Sequence, residues 1–534
     1  MIRGIDSWAL ISLLLAALLL APLLAVCSGV LSAGPEWTHI ADTVLPGYLI
    51  NTLILITGVS VFSLLFAVPT AWFISTYEFT GRGVWQWALV LPLAVPTFAA
   101  AFTHYDILSW SIPIILGVRE AWGFEASQIA ERILRYGVLI LLLSSVLYPY
   151  LYFCLRTSFS RQQPAYFEAA RMLGKSTRSI FWRVSLALAR PSMAAGLSLI
   201  IMEVINDYGA VNFFGVPTLT EGIFRTWFGL SDQSSGIRLA VIVVVIVFIV
   251  LSLEAWQRRR LRYTEGSLTA MKHQRARLNI RGSILANLLC LIPFSIGFLF
   301  PVGRLIHWSL LSRHGFDFAA FFQQVGSSLF LAIGTALVLS FLAFFLAFNA
   351  HTTKSKIAIR ITRAATLGYA IPSVVTGVGV MVLLGKLDLL SSNLSGAQLV
   401  LSGSLCAISF AYAIRFLTVA YRPAYAGIES VCASLHEAST LLGKGKLSSF
   451  FRIHFPLLKL NLLAASALVF IDIMKELPLT LVLRPSNFET LATFAFGFAK
   501  VGEIYDCAFP CLLIIALSAC GLFLINRWSE QLQA

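Results

Sequence analysis

At 534 residues, with 58% hydrophobic and only 12% charged side chains and a mean hydropathy of +0.83, the chain falls outside the balance of soluble globular domains and belongs in a bilayer. Its formal net charge of +14 does not point to nucleic acid, because the Lys and Arg residues sit in short stretches between apolar runs, where they set topology. Apolar runs of about 20 residues match a hydrocarbon layer of roughly 30 Å at ~1.5 Å per helical residue, whereas barrel strands would alternate over ~10 residues. The fold class expected is therefore an all-α polytopic membrane protein.

In chain order the predicted spans lie near residues 8–28, 49–75, 85–103, 135–155, 191–208, 238–256, 284–302, 327–349, 361–385, 398–420, 460–476 and 508–526, about twelve in all. The first of these begins after Arg3 and ends near Leu24-Ala25-Val26-Cys27, which imitates a secretory or lipoprotein signal. The apolar run is longer than a signal core, and Val26 is bulky where cleavage wants a small residue, so it reads as a span. Eight cysteines are scattered without a CxxC pair; Cys507 and Cys511 lie one helical turn apart, and all read as structural.

Between the sixth and seventh spans, the linker 257–282 carries Arg258, Arg259, Arg260, Arg262, Lys272, Arg275, Arg277 and Arg281, while residues 29–47 carry Glu36 and Asp42 and no Lys or Arg. The positive-inside rule then puts the linker and both termini in the cytoplasm. The linker also divides two similar halves, 1–256 and 283–534. Ala94-Val95-Pro96-Thr97 matches Ala370-Ile371-Pro372-Ser373 at an offset of 276, as Gly58 matches Gly334. Glu168-Ala169 with Gly174 matches Glu437-Ala438 with Gly443 at 269, and Glu203 with Asp207 matches Asp472 with Glu476 at the same 269. The first half must hold seven extra residues, expected within His104–Leu134. Six spans per half make the repeats parallel, and two such bundles about a pseudo-twofold axis would leave a passage between them.

The segment after the fourth span, within 165–190, reads Phe167-Glu168-Ala169-Ala170-Arg171-Met172-Leu173-Gly174, and its partner within 434–459 reads His436-Glu437-Ala438-Ser439-Thr440-Leu441-Leu442-Gly443. Each reads as a short helix with small residues that permit close approach of another surface, ended by a glycine free to turn left-handed. A second helical piece comes next, through Arg178, Phe181, Trp182 and Val184 in one copy and Phe450, Phe451, Ile453 and Phe455 in the other. Ala169 with Gly174-Lys175-Ser176 satisfies a permissive phosphate-loop pattern, but such a loop needs a preceding strand, and this segment reads as helix.

These two segments resemble the EAA loop of ABC importer permeases: Glu-Ala-Ala, three residues, Gly, nine residues, Ile, one residue, Leu-Pro. The match is at Glu168, Ala169, Ala170 and Gly174, with Val184 and Leu186-Ala187 further on, and at Glu437, Ala438, Gly443, Ile453 and Phe455-Pro456. Ser439 and Ala187 are the departures. The resemblance implies a type I importer permease whose two loops seat in grooves on two copies of a cytoplasmic ATPase. ATP and Mg would belong to that subunit, and a periplasmic substrate-binding protein would deliver the solute. The chain itself would then bind no cofactor, supply no catalytic residue and lie in a bacterial inner membrane.

Ionisable groups at membrane depth are costly and usually paired or functional. Glu203 and Asp207, like Asp472 and Glu476, are spaced to share a helical face near the outer ends of the fifth and eleventh spans. They are candidates for lining the pathway and for transient metal contact, since carboxylate oxygens suit hard cations. The alternative is structural: Lys475 neutralises Asp472 or Glu476, and the others cap helices or pair with Arg225 or Arg484. On the pathway reading, Asp207→Asn together with Glu476→Gln cuts transport and leaves assembly intact.

The stretches Asp207-Tyr208-Gly209-Ala210, Phe214-Gly215, Glu221-Gly222-Ile223, Lys475-Glu476-Leu477-Pro478-Leu479-Thr480 and Leu483-Arg484-Pro485, with Gly81-Arg82, Pro96 and Pro372, resemble the fused iron(III) permeases. That resemblance implies ferric iron as the solute, with phosphonate or thiamine as alternatives within related permeases. A twelve-span secondary transporter is the rival from another class, and the paired loops count against it.

Overall fold

The computed structural model describes residues 7–31, 34–162, 164–259, 275–312, 316–352, 359, 362, 366–395, 400–430, 439 and 441–533. Glu437 and Ala438 of the second loop, linker residues 260–274 and parts of the ninth predicted span lie outside them. Among the described residues nine helices are long and apolar enough to cross a membrane, and three sharply bent pairs raise the number to as many as twelve. The twelve fall on the twelve predicted spans in order. The bent pairs are Arg82–Ala94 with Thr97–Trp110 at 92°, Thr177–Leu188 with Arg190–Asn206 at 66°, and Lys446–Leu457 with Lys459–Lys475 at 76°.

Those bends have causes in the sequence, and they repeat. A 3-10 turn, Leu91–Ala94, runs into Pro96, whose extended backbone (ψ 141°) precedes the helix Thr97–Trp110. The same order, 3-10 turn Thr366–Ala370, then Pro372, then the helix Ser373–Ser395, recurs at the offset of 276. Proline removes an amide donor and restricts the residue before it, so each helix must restart after the break. Ala100 and Thr376 donate their amides to the carbonyls of Pro96 and Pro372 at 3.0 Å in both places.

Further along, the repetition holds residue by residue at 269. A π-helical turn at Phe181–Ser185 matches one at Phe450–His454; the helix Arg190–Asn206 matches Lys459–Lys475. Asp207 (φ −66°, ψ 121°) and Glu476 (φ −73°, ψ 117°) then leave the helix in extended conformation. A single π turn inserts one residue into the ladder and re-aims the helix beyond it. Its recurrence at the same place makes the duplication a property of the backbone as well as of the sequence.

The chain folds into two compact units that interleave the sequence halves: Met1–Trp37, Ile223–Val241 and Ser312–Ala534 in one, Thr38–Gly222 and Ile242–Leu311 in the other. In the first unit the helix Ser7–Ser28 packs on Ser373–Ser395, and the Ser12 hydroxyl accepts from the Asn349 side chain. Gly379 permits this: a Cβ there would stand 2.7 Å from the Pro22 carbonyl oxygen. In the second unit the long helix Leu45–Thr76 packs against Ile112–Ser160, which breaks at Gly123 (φ 88°). The seventh span also packs here, where a Cβ on Gly297 would meet the Ser145 carbonyl oxygen at 2.2 Å, and the Phe300 ring stands edge-on to His104. The first span of each sequence half therefore belongs to the unit built mainly from the other half. The linker returns to the second unit at Ala276–Arg277, which pairs in parallel with Tyr77–Glu78 while Glu78 receives Arg82 and Arg275, each at 3.8 Å.

Candidate functional site

The first EAA segment is the helix Pro164–Met172. Gly174 ends it with a φ of 72°, and the Lys175 amide reaches back to the Ala170 carbonyl at 3.1 Å, the left-handed stop expected from the sequence. Gly443 has the same φ of 72°, and Lys444 donates to the Ser439 carbonyl at 3.1 Å. Glu168 and Ala169 face solvent and Ala170 is buried. A helix, not a strand, precedes Gly174-Lys175-Ser176, and the Ser176 hydroxyl is committed to capping the next turn by accepting from the Ser179 amide. That backbone is not a phosphate loop.

Just before each glycine stand two apolar side chains to which the EAA pattern itself assigns no role. Met172 and Leu173 are 91% and 77% exposed; Leu441 and Leu442 are 88% and 77% exposed. Two bare hydrophobes at the tip of each loop leave apolar surface open to contact. Among the described residues nothing covers them.

Behind each tip lies an aromatic anchor. Trp72 on the helix Leu45–Thr76 packs against Phe181 at 4.9 Å between ring centroids, against Phe159 at 5.3 Å and against Phe167 of the loop at 6.3 Å. Its equivalent at the offset of 276 is Phe348, which packs against Phe450, the equivalent of Phe181, at 5.2 Å. Phe450 also touches Phe344 at 4.9 Å. Each loop thus meets a long span of its own repeat through ring contacts.

The candidate pathway acids occupy the end of the bent fifth and eleventh spans. Because Asp207 and Glu476 leave the helix, neither shares a continuous helical face with Glu203 or Asp472, contrary to the expectation from the i,i+4 spacing. Their carboxylates turn forward instead. Asp207 Oδ1 accepts from the Ala210 and Val211 amides at 2.9 and 3.3 Å, capping the short helix Gly209–Phe213. Glu476 Oε1 accepts from the Leu479 amide at 3.1 Å, capping Pro478–Leu483. Free amides at a helix start attract a carboxylate, which explains the acids without any ligand.

Their remaining partners differ. Asp207 takes a further hydrogen bond from the Thr97 hydroxyl. Glu476 is paired with Arg415, whose Nε lies 3.5 Å from Glu476 Oε2 and whose Nη1 donates to the Ile371 carbonyl at 3.0 Å. Both side chains of that pair are buried. The guanidinium also lies over the Tyr369 ring. Lys475 pairs with Asp472 at 3.6 Å, and Arg484 is taken by Glu489. Arg415 was legible as a lone arginine inside an apolar span, a rarity that asks for a partner. Among the described residues no group of three or more His, Cys, Asp or Glu is arranged to hold a metal ion.

Residues 60–263, which include the first loop and its aromatic anchor, match the family described as binding-protein-dependent transport system inner membrane component. The permease is 24% identical over 484 residues to the Fe(3+)-transport system permease protein FbpB 2 of Haemophilus influenzae, covering 90% of this chain and 89% of that protein. It is 28% identical over 178 residues to a probable sulfate transport system permease protein of Chlorokybus atmophyticus, 33% of this chain and 59% of that one. Over 208 residues it is 27% identical to a probable molybdenum ABC transporter permease protein of Haloferax volcanii, 38% and 73% of the two. Shorter relatives align with a part of the permease, whereas the iron-transport relative runs alongside both of its repeats.

Proposed function

We propose that this ABC importer permease carries ferric iron across a bacterial inner membrane, driven by ATP hydrolysed on two copies of a separate cytoplasmic subunit. The observation that carries the substrate is the extent of the similarity to an Fe(3+) permease, 90% of this chain against 89% of that one. The basic linker supports an orientation with both termini cytoplasmic. A periplasmic binding protein would then deliver the ion to the opposite face.

Coupling runs through the two EAA loops. Glu168, Ala169, Ala170 and Gly174, with Glu437, Ala438 and Gly443, are the residues of each loop that meet the ATPase, and the exposed pairs Met172-Leu173 and Leu441-Leu442 enter an apolar groove on it. Closure of the ATPases on ATP draws on these knobs, and the Trp72 and Phe348 contacts pass the movement to the long spans. Charge reversal at both sites, Glu168→Arg with Glu437→Arg, abolishes co-purification of the ATPase; an unchanged yield of complex would remove the docking role.

Of the four acids, Glu203, Asp207, Asp472 and Glu476 all remain candidates for transient contact with the ion. Asp207 is the strongest, since no cation compensates it among the described residues. The test of the substrate is uptake of radioactive ferric iron by iron-starved cells with and without the chain, with sulfate, molybdate, phosphonate and thiamine uptake measured in parallel. Selective loss of iron uptake supports the reading, and selective loss of one of the others transfers the permease to that solute.

A further inference from the structure

Within the second unit, a cleft of about 820 Å³ opens beside the start of the second span and the stretch where Ile112–Ser160 passes from exposed to buried. Its floor and walls are Ile50, Ile54, Ile133 and Ile140, and three of these, Ile50, Ile54 and Ile133, are exposed on the surface of apolar helices. Exposed isoleucines on spanning helices face acyl chains, so this end of the cleft is open to lipid.

The other end is polar. Arg132 and Arg135 stand one turn apart on the same helix, and Arg135 is paired with Glu131. Arg132 has no ion-pair partner among the described residues, which leaves the cleft with one uncompensated positive charge. Its shape is held from within. The Tyr136 hydroxyl donates to Asn51 Oδ1 at 2.8 Å, and Asn51 Nδ2 donates to the Pro217 carbonyl at 2.8 Å, so three segments are pinned around the opening without using either arginine.

We propose that this cleft binds an anionic phospholipid, with the phosphodiester against Arg132 and Arg135 and an acyl chain along Ile50, Ile54 and Ile140. One negative charge matches the one uncompensated cation, and arginine presents donors in the fork that suits a phosphate. The basic end lies where two apolar runs begin, the depth at which headgroups sit, on the outer face in the orientation proposed above. A soluble anion would use the arginines and leave the isoleucine groove empty.

Native mass spectrometry of the purified full-length chain in detergent tests this, with phosphatidylglycerol, phosphatidylcholine of the same acyl chains, or inorganic phosphate added. Phosphatidylglycerol is expected to be retained at about fivefold lower concentration than phosphatidylcholine, a preference that Arg132→Gln removes and Arg132→Lys largely keeps. Ile54→Trp, which fills the groove and leaves both arginines in place, lowers retention of phosphatidylglycerol as well. Equal retention of the two lipids, or full retention by a folded Arg132→Gln protein, overturns the proposal. Displacement of phosphatidylglycerol by millimolar phosphate, with Ile54→Trp without effect, assigns the site to a free anion instead. Should Arg132→Gln fail to fold, the Ile54→Trp and phosphatidylcholine arms decide alone.

Discussion

Asp207 and Glu476 stand 269 residues apart in the sequence, each in extended conformation at the end of a bent span, and each caps the short helix next in the chain. Each is also tied to the proline break in a neighbouring span of its own unit, but by different chemistry. Asp207 reaches it through the hydroxyl of Thr97, the first residue after Pro96. Glu476 reaches it through Arg415, which donates to the carbonyl of Ile371, the residue before Pro372. Counting back by the same 269 from Arg415 falls on Val146, which is buried and apolar. After duplication one copy holds its cap acid with a neutral hydrogen bond and the other with a buried ion pair. The backbone tolerates both because the capping amides fix the carboxylate and leave its second oxygen free to take either partner.

The comparison predicts opposite sensitivities. Glu476→Gln keeps an acceptor for the Leu479 amide and strands a buried guanidinium, which costs about 3–5 kcal/mol. Arg415→Met strands the carboxylate and is expected to cost about as much. The double variant Arg415→Met with Glu476→Gln should recover most of the loss, to within about 1 kcal/mol of the parent, because no buried charge is left unpaired. Thermal unfolding of the purified permease in detergent, read as a double-mutant cycle, measures this. Two additive losses would mean that the pair is not a unit. Arg415 also changes the outcome expected from sequence for Asp207→Asn with Glu476→Gln: assembly should suffer through Glu476 alone, so the double variant is no longer a clean test of transport.

That revision marks where the sequence stopped being legible. Span number, the repeat frame and the left-handed stops at Gly174 and Gly443 were readable, because hydropathy and glycine act on the backbone locally, whereas the spans drawn through Pro96 and Pro372 missed the breaks there. The Arg415–Glu476 pair joins residues on different spans, and spacing along one helix carries no trace of it. The placing of the seventh span with the unit of the first half was equally hidden. Hydropathy says that a helix is buried in lipid or protein, and it does not say which neighbour it meets. The i,i+4 reading of Glu203 with Asp207 and Asp472 with Glu476 failed at one residue, where the next, capped helix needed an extended lead-in.

The coupling loops sharpen the comparison from the other side, because here the copies agree. Gly174→Ala and Gly443→Ala each force an L side chain into a φ of 72°, at a cost of about 1–2 kcal/mol confined to the end of the docking helix. Equal loss of ATPase affinity by the two variants, measured by titration of the purified subunits, is expected. The apolar tips give a graded version of the same test: Met172→Ser and Leu441→Ser leave the backbone unchanged and remove exposed hydrophobic area, so binding should weaken by about tenfold each without a change in unfolding temperature. A strong bias toward one loop would show that the two repeats had diverged at the ATPase as they have at the cap acids.

A variant with little expected effect on stability is the most informative about transport. Asp207→Asn retains an oxygen to accept from the Ala210 and Val211 amides, puts an NH2 donor facing the Thr97 hydroxyl where the second oxygen stood, and removes a charge that no cation balances among the described residues. Unfolding should shift by less than about 1 kcal/mol in either direction. Iron uptake by cells carrying this variant should nevertheless fall several-fold if the carboxylate meets the ion in passage. Unchanged uptake at unchanged stability would make Asp207 a cap and nothing more. The two cap acids would then differ only in how they are neutralised, and the search for ion contacts would move to Glu203, half-buried one helical turn earlier on the same span.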